Sequence, residues 1–172
     1  MNLKDYKNLE WLQLTDIKPH PDNPRDHSED QIRKISNSIN ELGWGRQLIL
    51  SKDGFILEGH GVYLAVMNIL KLKKVPTVKM QWKHDSPEAI AYMIADNKLT
   101  DESGWNFPKL DELSINLELN EFDLTLTGFD EAELKLLEES NKIPEEEQEF
   151  DESVADDVEM IKCPECGHEF PK

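Results

Sequence analysis

Apolar residues recur at two spacings along residues 11–137, and these spacings predict a small α/β domain. Apolar residues at 11, 12 and 14, followed by Ile17, predict a short first strand. Residues 19–24 contain three prolines, an aspartate and an asparagine, so they predict a turn that ends this strand.

A helix over residues 29–42 has the clearest signals of any predicted element. Ser28 and Gln31 have the spacing of a capping box, and Gly43 stands where a C-terminal cap belongs. Four apolar residues between these ends fall on one helical face: Ile32, Ile35, Ile39 and Leu42. The pattern therefore predicts an amphipathic helix.

A hairpin and a strand-turn-helix follow. Residues 48–50 and 55–57 are apolar, and the Lys52-Asp53-Gly54 stretch between them predicts a turn. The second strand leads into Glu58-Gly59-His60-Gly61, and the helix predicted after it contains Tyr63, Leu64, Met67 and Leu70. Residues 75–78 predict a further strand.

Three more helices are predicted in the second half. Ser86-Pro87-Glu88 combines a cap residue, a first-turn proline and a first-turn acid, which is typical of a helix start. This helix is predicted to bury Ile90, Met93 and Ile94 and to end near Asp96-Asn97-Lys98. The other two are predicted from Asn106 through Leu110, Leu113 and Leu117, and from an Asp130/Glu133 cap through Leu134 and Leu137.

Composition and charge divide the chain of 172 residues. A hydrophobic content of 38% suits one modest domain with extensions. About half of the net charge of −17 comes from residues 144–160, which contain acids and no base. Such a run is typical of a solvated flexible linker, and a tail that docks a partner or mimics DNA is the alternative. The predicted parts are an N-terminal extension (1–10), an α/β domain (11–100), a helical extension packed on it (101–140), an acidic flexible linker (141–160) and a cysteine-containing end (161–172).

The sequence also excludes several classes of protein. No apolar run approaches membrane-spanning length and the first residues contain no apolar signal region, so a cytoplasmic protein with no membrane partner is predicted. Signatures of serine hydrolases, Rossmann dinucleotide-binding proteins and Walker-type NTPases are absent.

One basic cluster stands out against the acidic background. It consists of Lys71, Lys73, Lys74, Lys79 and Lys83, with Trp82 among them and no acid before Asp85. Lysines in this pattern could contact the phosphates of DNA. The alternative is that they prevent aggregation along an exposed strand edge.

The turn Gly59-His60-Gly61 is the first candidate for ligand chemistry. Glycines between a strand and a helix let backbone N–H groups approach an anion, and the positive end of the helix favours negative charge there. The turn therefore predicts a nucleotide phosphate site. A tight strand-to-helix turn also needs glycine for conformational reasons alone, and that alternative stays open.

Three separated motifs together resemble the ParB/sulfiredoxin-like superfamily. They are Asn23-Pro24-Arg25 before a helix, Glu58-Gly59-His60-Gly61 with Ala65, and Asp96-Asn97-Lys98. The resemblance covers residues 11–140 and is closest to short ParB N-terminal-domain proteins of phages and mobile elements, often associated with DNA methyltransferases. It implies a mixed sheet with packed helices.

The resemblance also implies a ligand and a set of site residues. The ligand is a nucleoside triphosphate, CTP or ATP, with magnesium. The residues that match the family's binding motifs are Asn23, Arg25, Gly59, His60, Gly61, Asp96, Asn97 and Lys98. The chain departs from the family at two arginine positions, where it has Val62 and Thr100.

Glu58 and His60 are the candidate catalytic residues. Glu58 could hold magnesium or activate a water, and it could equally be a solvated residue at a strand end. His60 could donate to a phosphate or shuttle a proton near neutral pH, or it could cap the turn.

The two cysteines form a motif at the C-terminal end. Cys163-Pro164-Glu165-Cys166-Gly167-His168 resembles one knuckle of a zinc ribbon. A closed zinc site needs four ligands, so Cys163, Cys166 and His168 would need a further histidine or a second chain, as in a homodimer. A knuckle that holds no metal by itself is the alternative.

The sequence thus predicts a ParB-like nucleotide-binding protein that acts in DNA modification, partition or processing in a phage or mobile element. One alternative is a nuclease or magnesium-dependent NTPase of the same fold that uses Glu58 and His60. The other is a non-catalytic adaptor in which the nucleotide site has decayed and the acidic tail docks a partner. A DNA methyltransferase or another phage protein is a candidate partner of the chain.

Overall fold

The computed structural model describes residues 9–140 and 160–171. The chain divides into two compact units, one up to Glu138 and one from Glu139. Most of the predicted N-terminal extension (1–10) and of the predicted acidic linker (141–160) lies outside the described residues.

The first unit alternates strands and helices in the order that the sequence predicts. Its strands are β1 (Glu10–Gln13), β2 (Leu48–Leu50), β3 (Ile56–Glu58) and β4 (Lys74–Lys79). Its α-helices are α1 (Glu29–Leu42), α2 (His60–Ala65), α3 (Pro87–Glu102), α4 (Phe107–Leu119) and α5 (Glu131–Ser140). Short 3-10 turns span Leu14–Asp16 and Leu124–Thr127, and a π-helical turn over Val66–Leu70 extends α2. No helix within residues 9–140 is long and apolar enough to cross a membrane.

The four strands form one mixed sheet in the order β1-β4-β2-β3. β1 is antiparallel to β4, β4 is parallel to β2, and β2 is antiparallel to β3. Outside the named strands, Lys18 bridges to Phe55, so the chain just before the turn at residues 19–24 runs beside the start of β3. The site strand β3 is therefore held from both sides at its beginning.

Apolar residues on both faces of the sheet explain why β2 is fully buried. Leu48 and Leu50 belong to a core cluster with Ile17, Tyr63 and Val66, on the face that α2 covers. Their neighbour Ile49 points to the opposite face and packs there with three residues: Leu57, Val78 and Ala89. Side chains alternate between faces along a strand, so an unbroken apolar strand indicates a sheet covered on both sides.

The helix ends agree with their sequence signals. The Ser28 hydroxyl accepts a hydrogen bond from the Gln31 N–H, and Gly43 follows α1 with a φ of 88°. Ser86 caps α3 and Asn106 caps α4 in the same way. At α5 the cap is reciprocal, because Asp130 accepts from the Glu133 N–H while Glu133 accepts from the Asp130 N–H.

The predicted buried stripe of α3 is rotated by one residue. Ala89 and Met93 are buried against the sheet, whereas Ile90 and Ile94 are exposed. Met67 and Leu113, apolar residues named in the predicted second and fourth helices, are exposed as well. Successive side chains on a helix are about 100° apart around its axis. The apolar pattern therefore predicts that the segment is a helix, but it does not predict which side chains are buried.

The second unit contains a two-stranded hairpin, β5 (Met160–Lys162) and β6 (Glu169–Pro171). The cysteine motif forms the turn between them. The Cys163 carbonyl accepts a hydrogen bond of 2.9 Å from the Gly167 N–H, and Gly167 has a φ of 74°, which favours glycine.

Candidate nucleotide-binding cleft

The turn between β3 and α2 has the predicted strand-turn-helix form. Gly59 is the N-cap of α2 with φ 96° and ψ 26°, a left-handed conformation that disfavours other residues. The first hydrogen bond of the helix runs from the Tyr63 N–H to the Gly59 carbonyl, at 2.9 Å. The three preceding N–H groups, of residues 60–62, thus point out of the helix start without an intrahelical acceptor.

Packing also leaves little room for a side chain at either glycine of the turn. A Cβ on Gly59 would lie 2.6 Å from Leu48 Cδ2, inside the core. A Cβ on Gly61 would lie 3.0 Å from Ile35 Cδ1 and 3.2 Å from His27 Nδ1, on the side of α1. The backbone conformation and the packing of this turn account for its glycines without a ligand. A ligand site at the turn therefore depends on the side chains around it.

Arg25 joins the N-terminal motif to α3. The Asn23 side chain orders the turn by donating to the Arg25 carbonyl at 2.8 Å. Arg25 Nε then donates to Asn97 Oδ1 at 3.0 Å, and Arg25 Nη2 lies 2.5 Å from Asp101 Oδ1. The first and third motifs of the chain, far apart in sequence, are therefore in direct contact.

The prediction that a helix ends near Asp96-Asn97-Lys98 is wrong, because α3 continues to Glu102. Asn97 Nδ2 donates to the Met93 carbonyl and Thr100 Oγ1 donates to the Asp96 carbonyl, so both side chains bond within the helix. Asn97 is a residue of the helix body and not a left-handed cap. The side-chain oxygen of Asn97, Oδ1, accepts the hydrogen bond from Arg25.

The three motifs meet in one cleft of about 270 Å³. An adjoining pocket of about 150 Å³ continues it towards the start of α2. The predicted site residues that line these two cavities are Asn23, Arg25, Glu58, Gly59, His60, Gly61, Asp96 and Asn97. Lys98 does not line either of them, and its Nζ pairs with Glu102 at 3.1 Å.

Glu58 is held at the cleft by a residue that sequence reasoning missed. The Tyr92 hydroxyl donates to Glu58 Oε2 at 2.8 Å. Tyr92 lies one helical turn before Asp96, and residues four apart on a helix share a face. That four-residue spacing is the feature of the sequence from which Tyr92 could have been identified as a site residue. Asp101 stands in the same relation to Asn97.

His60 is an acceptor within the protein. Its Nε2 accepts a hydrogen bond of 3.3 Å from the His20 N–H. Burial, followed by the nearby His27 and His20, lowers the pKa of His60 to about 4. The imidazole is therefore neutral at pH 7, and a proton shuttle near neutral pH is not what this environment favours.

His20, whose N–H donates to His60, is itself held in place by further hydrogen bonds. His20 is buried, and its Nε2 donates to the His84 carbonyl at 3.0 Å while its Nδ1 accepts from the Asp22 N–H. His84 in turn hydrogen bonds through Nδ1 to Asp53 Oδ2 at 2.6 Å and stacks on Phe55 at 3.9 Å between ring centroids. Burial raises the pKa of Asp53, but the hydrogen bonds from His84 and Ser51 outweigh it and hold that pKa well below its usual range.

The charges that line the cleft are mixed. Arg25 and Arg46 face three carboxylates, those of Asp26, Glu58 and Asp96. Arg46 was not a candidate from the sequence, because no family motif or charge cluster includes it. Within residues 9–140 and 160–171, no three histidine, cysteine, aspartate or glutamate side chains come together as a metal site. The carboxylates are suitable in kind for magnesium, but the protein alone does not form a cage for it.

The five lysines predicted to contact DNA do not form one continuous patch. Lys71, Lys73 and Lys74 precede or begin β4, while Lys79 ends it and Lys83 follows. A six-residue strand is roughly 17 Å long, so the two groups lie at opposite ends of β4.

Cys163 and Cys166 are the two candidate sulfur ligands for zinc in the C-terminal motif. Backbone N–H groups of Cys166 and Glu165 hydrogen bond to Cys163 and lower the pKa of its thiol. Within residues 160–171, the structure does not bring His168 or an acidic residue together with both cysteines, so this segment does not form a closed zinc site by itself.

Comparisons with known proteins identify the family. No protein-family model matches the chain. The ParB-like nuclease domain-containing protein YnaK of Escherichia coli (strain K12) is 32% identical over 65 residues, a match that covers 38% of this chain and 74% of that protein.

Solved structures of similar fold include the C-terminally truncated chromosome-partitioning protein ParB of Caulobacter crescentus, complexed with CTP-gamma-S. It is 20% identical with a TM-score of 0.56, and the match covers 67% of this chain and 64% of the ParB chain. A sulfiredoxin of Arabidopsis thaliana is 14% identical with a TM-score of 0.41, over 51% of this chain and 98% of its own.

The ParB structure confirms the predicted fold class, a mixed sheet with packed helices. The relative from Escherichia coli confirms the family that the three motifs indicate. Because that match covers 74% of the relative at 32% identity, the chain belongs to the family of ParB-like nuclease domain-containing proteins.

Proposed function

We propose that the cleft between α1, α2 and α3 binds a nucleoside triphosphate, CTP or ATP, with magnesium. The observation that carries this proposal is the meeting of three separated motifs in one cleft, tied together by the hydrogen bond between Arg25 and Asn97. The ParB protein of similar fold, complexed with CTP-gamma-S, supports the same ligand class. Free N–H groups at residues 60–62 and the arginines that line the cleft suit phosphate oxygens.

Binding is tested by thermal unfolding of the full chain with CTP, ATP and GTP, each with magnesium. A ligand that binds the native state alone at 100 times its Kd stabilises it by about 2.7 kcal/mol. That corresponds to a rise of roughly 5–15 °C in Tm for a domain of this size. Asn97→Ala removes the partner of Arg25 and should reduce the rise, whereas Asn116→Ala on exposed α4 should not. No rise with any nucleotide would reject the proposal.

A second candidate function, nucleotide hydrolysis or DNA cleavage with Glu58 as the general base, is favoured by one observation. The Tyr92 hydroxyl holds the Glu58 carboxylate at the cleft in a fixed position. A base must be within hydrogen-bond reach of the water it activates. Glu58 and Asp96 are carboxylates that line both cavities, and Glu58 is the one that Tyr92 holds. Phosphate release or plasmid nicking that is lost in Glu58→Gln but kept in Glu41→Gln, a change on the surface of α1, would support it.

The DNA-directed role rests on family membership and on the lysines around β4. We propose that the protein acts in DNA modification, partition or processing in a phage or mobile element, in the cytoplasm, together with a partner such as a DNA methyltransferase. Lys71 and Lys83, at the two ends of β4, would contact phosphates. Duplex DNA binding followed by fluorescence anisotropy should weaken steeply with salt, and a salt-independent signal or no binding would count against these contacts.

The C-terminal knuckle supplies half of a zinc site in this proposal. Cys163 and Cys166 of two copies provide the four ligands that a structural zinc requires, which would make the protein a homodimer. The support is the hydrogen-bonded turn that places backbone N–H groups at Cys163.

A further inference from the structure

We propose that Arg46 is the phosphate-binding cation of the cleft and takes the place of the arginine that is missing at Val62. The inference rests on the proposed nucleotide function and names the side chain that would hold the ligand's polyphosphate. It assigns this contact to the connection between α1 and β2, instead of to helix α2.

The position of Arg46 is fixed by the strand that follows it. Strand β2 begins two residues later with Leu48, which is completely buried. The side chain of Leu48 also lies directly under the turn, because its Cδ2 is the atom that a Cβ on Gly59 would touch. The backbone that carries Arg46 is therefore tied to the backbone that carries the free N–H groups of residues 60–62.

Arg46 and Val62 line the same surfaces. Both contribute to the cleft of about 270 Å³ and to the adjoining pocket beside Gly59, His60 and Gly61. Both also line a wider groove of about 550 Å³ on the other side. Val62 packs partly into the core and offers no charge, so a cation that serves this junction has to come from a neighbouring element.

The other basic residues near the cleft are already engaged. Arg25 is bound to Asn97 and Asp101. Lys98 pairs with Glu102, and Lys34 lies 3.8 Å from both Asp130 and Glu133. Arg46 is exposed and makes no hydrogen bond or ion pair with another residue of the described ranges, although it lines a cleft that contains three carboxylates. Its guanidinium is free to form the paired hydrogen bonds that suit phosphate oxygens.

The charges of the cleft make Arg46 important for binding an anion. With Arg25 paired to Asp101, the charged acidic and basic side chains that line the cleft would, without Arg46, leave a net negative charge facing an incoming anion. A charge-assisted hydrogen bond contributes more than a neutral one, so loss of a bidentate arginine contact should weaken polyphosphate binding by about 10- to 100-fold. Lysine at the same position keeps the charge but not the paired geometry, so it should recover only part of the affinity.

The test is calorimetric titration of the full chain with two probes, CTP with magnesium and inorganic triphosphate. The variants are Arg46→Ala, Arg46→Lys, and Arg46→Ala combined with Val62→Arg, which returns the charge to helix α2. Arg33→Ala is the matched control, because Arg33 lies on α1 outside the cleft and pairs with Asp30 at 3.3 Å. The Tm of each variant without ligand shows that it is folded.

The expected result is a 10- to 100-fold weaker binding of both probes by Arg46→Ala, no change in Arg33→Ala, and recovery in the double variant. Wild-type affinity in a folded Arg46→Ala variant would overturn the inference while leaving nucleotide binding intact. Binding of triphosphate but not of CTP, still dependent on Arg46, would support the inference and reject the proposed nucleotide function. Failure of the wild type to bind either probe would reject both.

Discussion

Replacing Gly59 by alanine should destabilise the first unit by about 2–4 kcal/mol. The left-handed backbone at this residue costs a non-glycine residue about 1–2 kcal/mol. The added methyl group would also lie 2.6 Å from Leu48 Cδ2, in a core where Leu48 has no exposed surface. Overpacking of this kind costs about 1–3 kcal/mol, and the two costs arise from different atoms and so add in part.

Gly128 supplies the matched control. Its φ of 98° is almost the same, but a Cβ there would have no atom within 4 Å. Gly128→Ala should therefore show the backbone cost alone, about 1–2 kcal/mol, and the difference between the two variants measures the crowding against Leu48. Gly59→Ala in a Leu48→Ala background should lose that difference, because the cavity left by leucine accepts the methyl group.

Urea unfolding followed by tryptophan fluorescence measures these free energies. All four tryptophans, at positions 11, 44, 82 and 105, belong to the first unit, so the signal reports on that unit. Equal destabilisation by Gly59→Ala and Gly128→Ala would refute the reasoning, because it would show that Leu48 does not press on the turn.

Four further predictions follow from the ionisable groups. His60 should titrate with a pKa of about 4 by NMR. A pKa that falls from about 6.5 in the unfolded state to about 4 corresponds to about 3 kcal/mol. Because His60 is only partly buried, we expect stability to fall by about 1–2 kcal/mol between pH 6.5 and 4, and His60→Gln should remove that loss. Asp53→Asn should cost about 1 kcal/mol at neutral pH. The cost should shrink as the pH falls below the unfolded pKa of about 3.9 towards the lowered native pKa of Asp53, because the stabilisation from a lowered pKa is complete only above the unfolded value. Chelation of magnesium should weaken CTP binding, and Glu58→Gln should reduce this dependence on magnesium if the carboxylate holds the ion. Purified protein should contain one zinc per two chains, and Cys163→Ser should contain none.

Each of these predictions has a contradicting outcome. A His60 pKa of 6 or above would show that the imidazole is solvated, and pH-independent stability of Asp53→Asn relative to wild type would show that the bond to His84 contributes nothing. CTP affinity unchanged by chelation would separate the ligand from magnesium. Zinc retained in Cys163→Ser would reject Cys163 as a ligand, with Cys166→Ser as the parallel test.

The order of elements could be predicted from the sequence because its signals are local. Ser28, Gly43 and Ser86 act on hydrogen bonds within one turn of themselves, and each marks a helix end that the structure has. Gly59 is equally local, since its left-handed φ and the strand before it determine the turn.

The rest depended on contacts that no local pattern encodes. The end of α3 was placed too early because Asn97, which often caps helices, here bonds back to Met93 within the helix. The burial of Ala89 in place of Ile90 depends on how α3 is rotated against β3. Arg46 could not be identified as a cleft residue, because only the packing of Leu48 under Gly59 brings its loop to the turn.

The ion pair between Arg25 and Asp101 joins residues that are 76 positions apart, and the turn at Gly59 lies between them in sequence. A cleft assembled in this way has no segment that can form it independently, so it exists only while the whole unit is folded. Occupancy by a ligand should therefore slow amide hydrogen exchange across the entire sheet, and not only in the loops that touch the ligand.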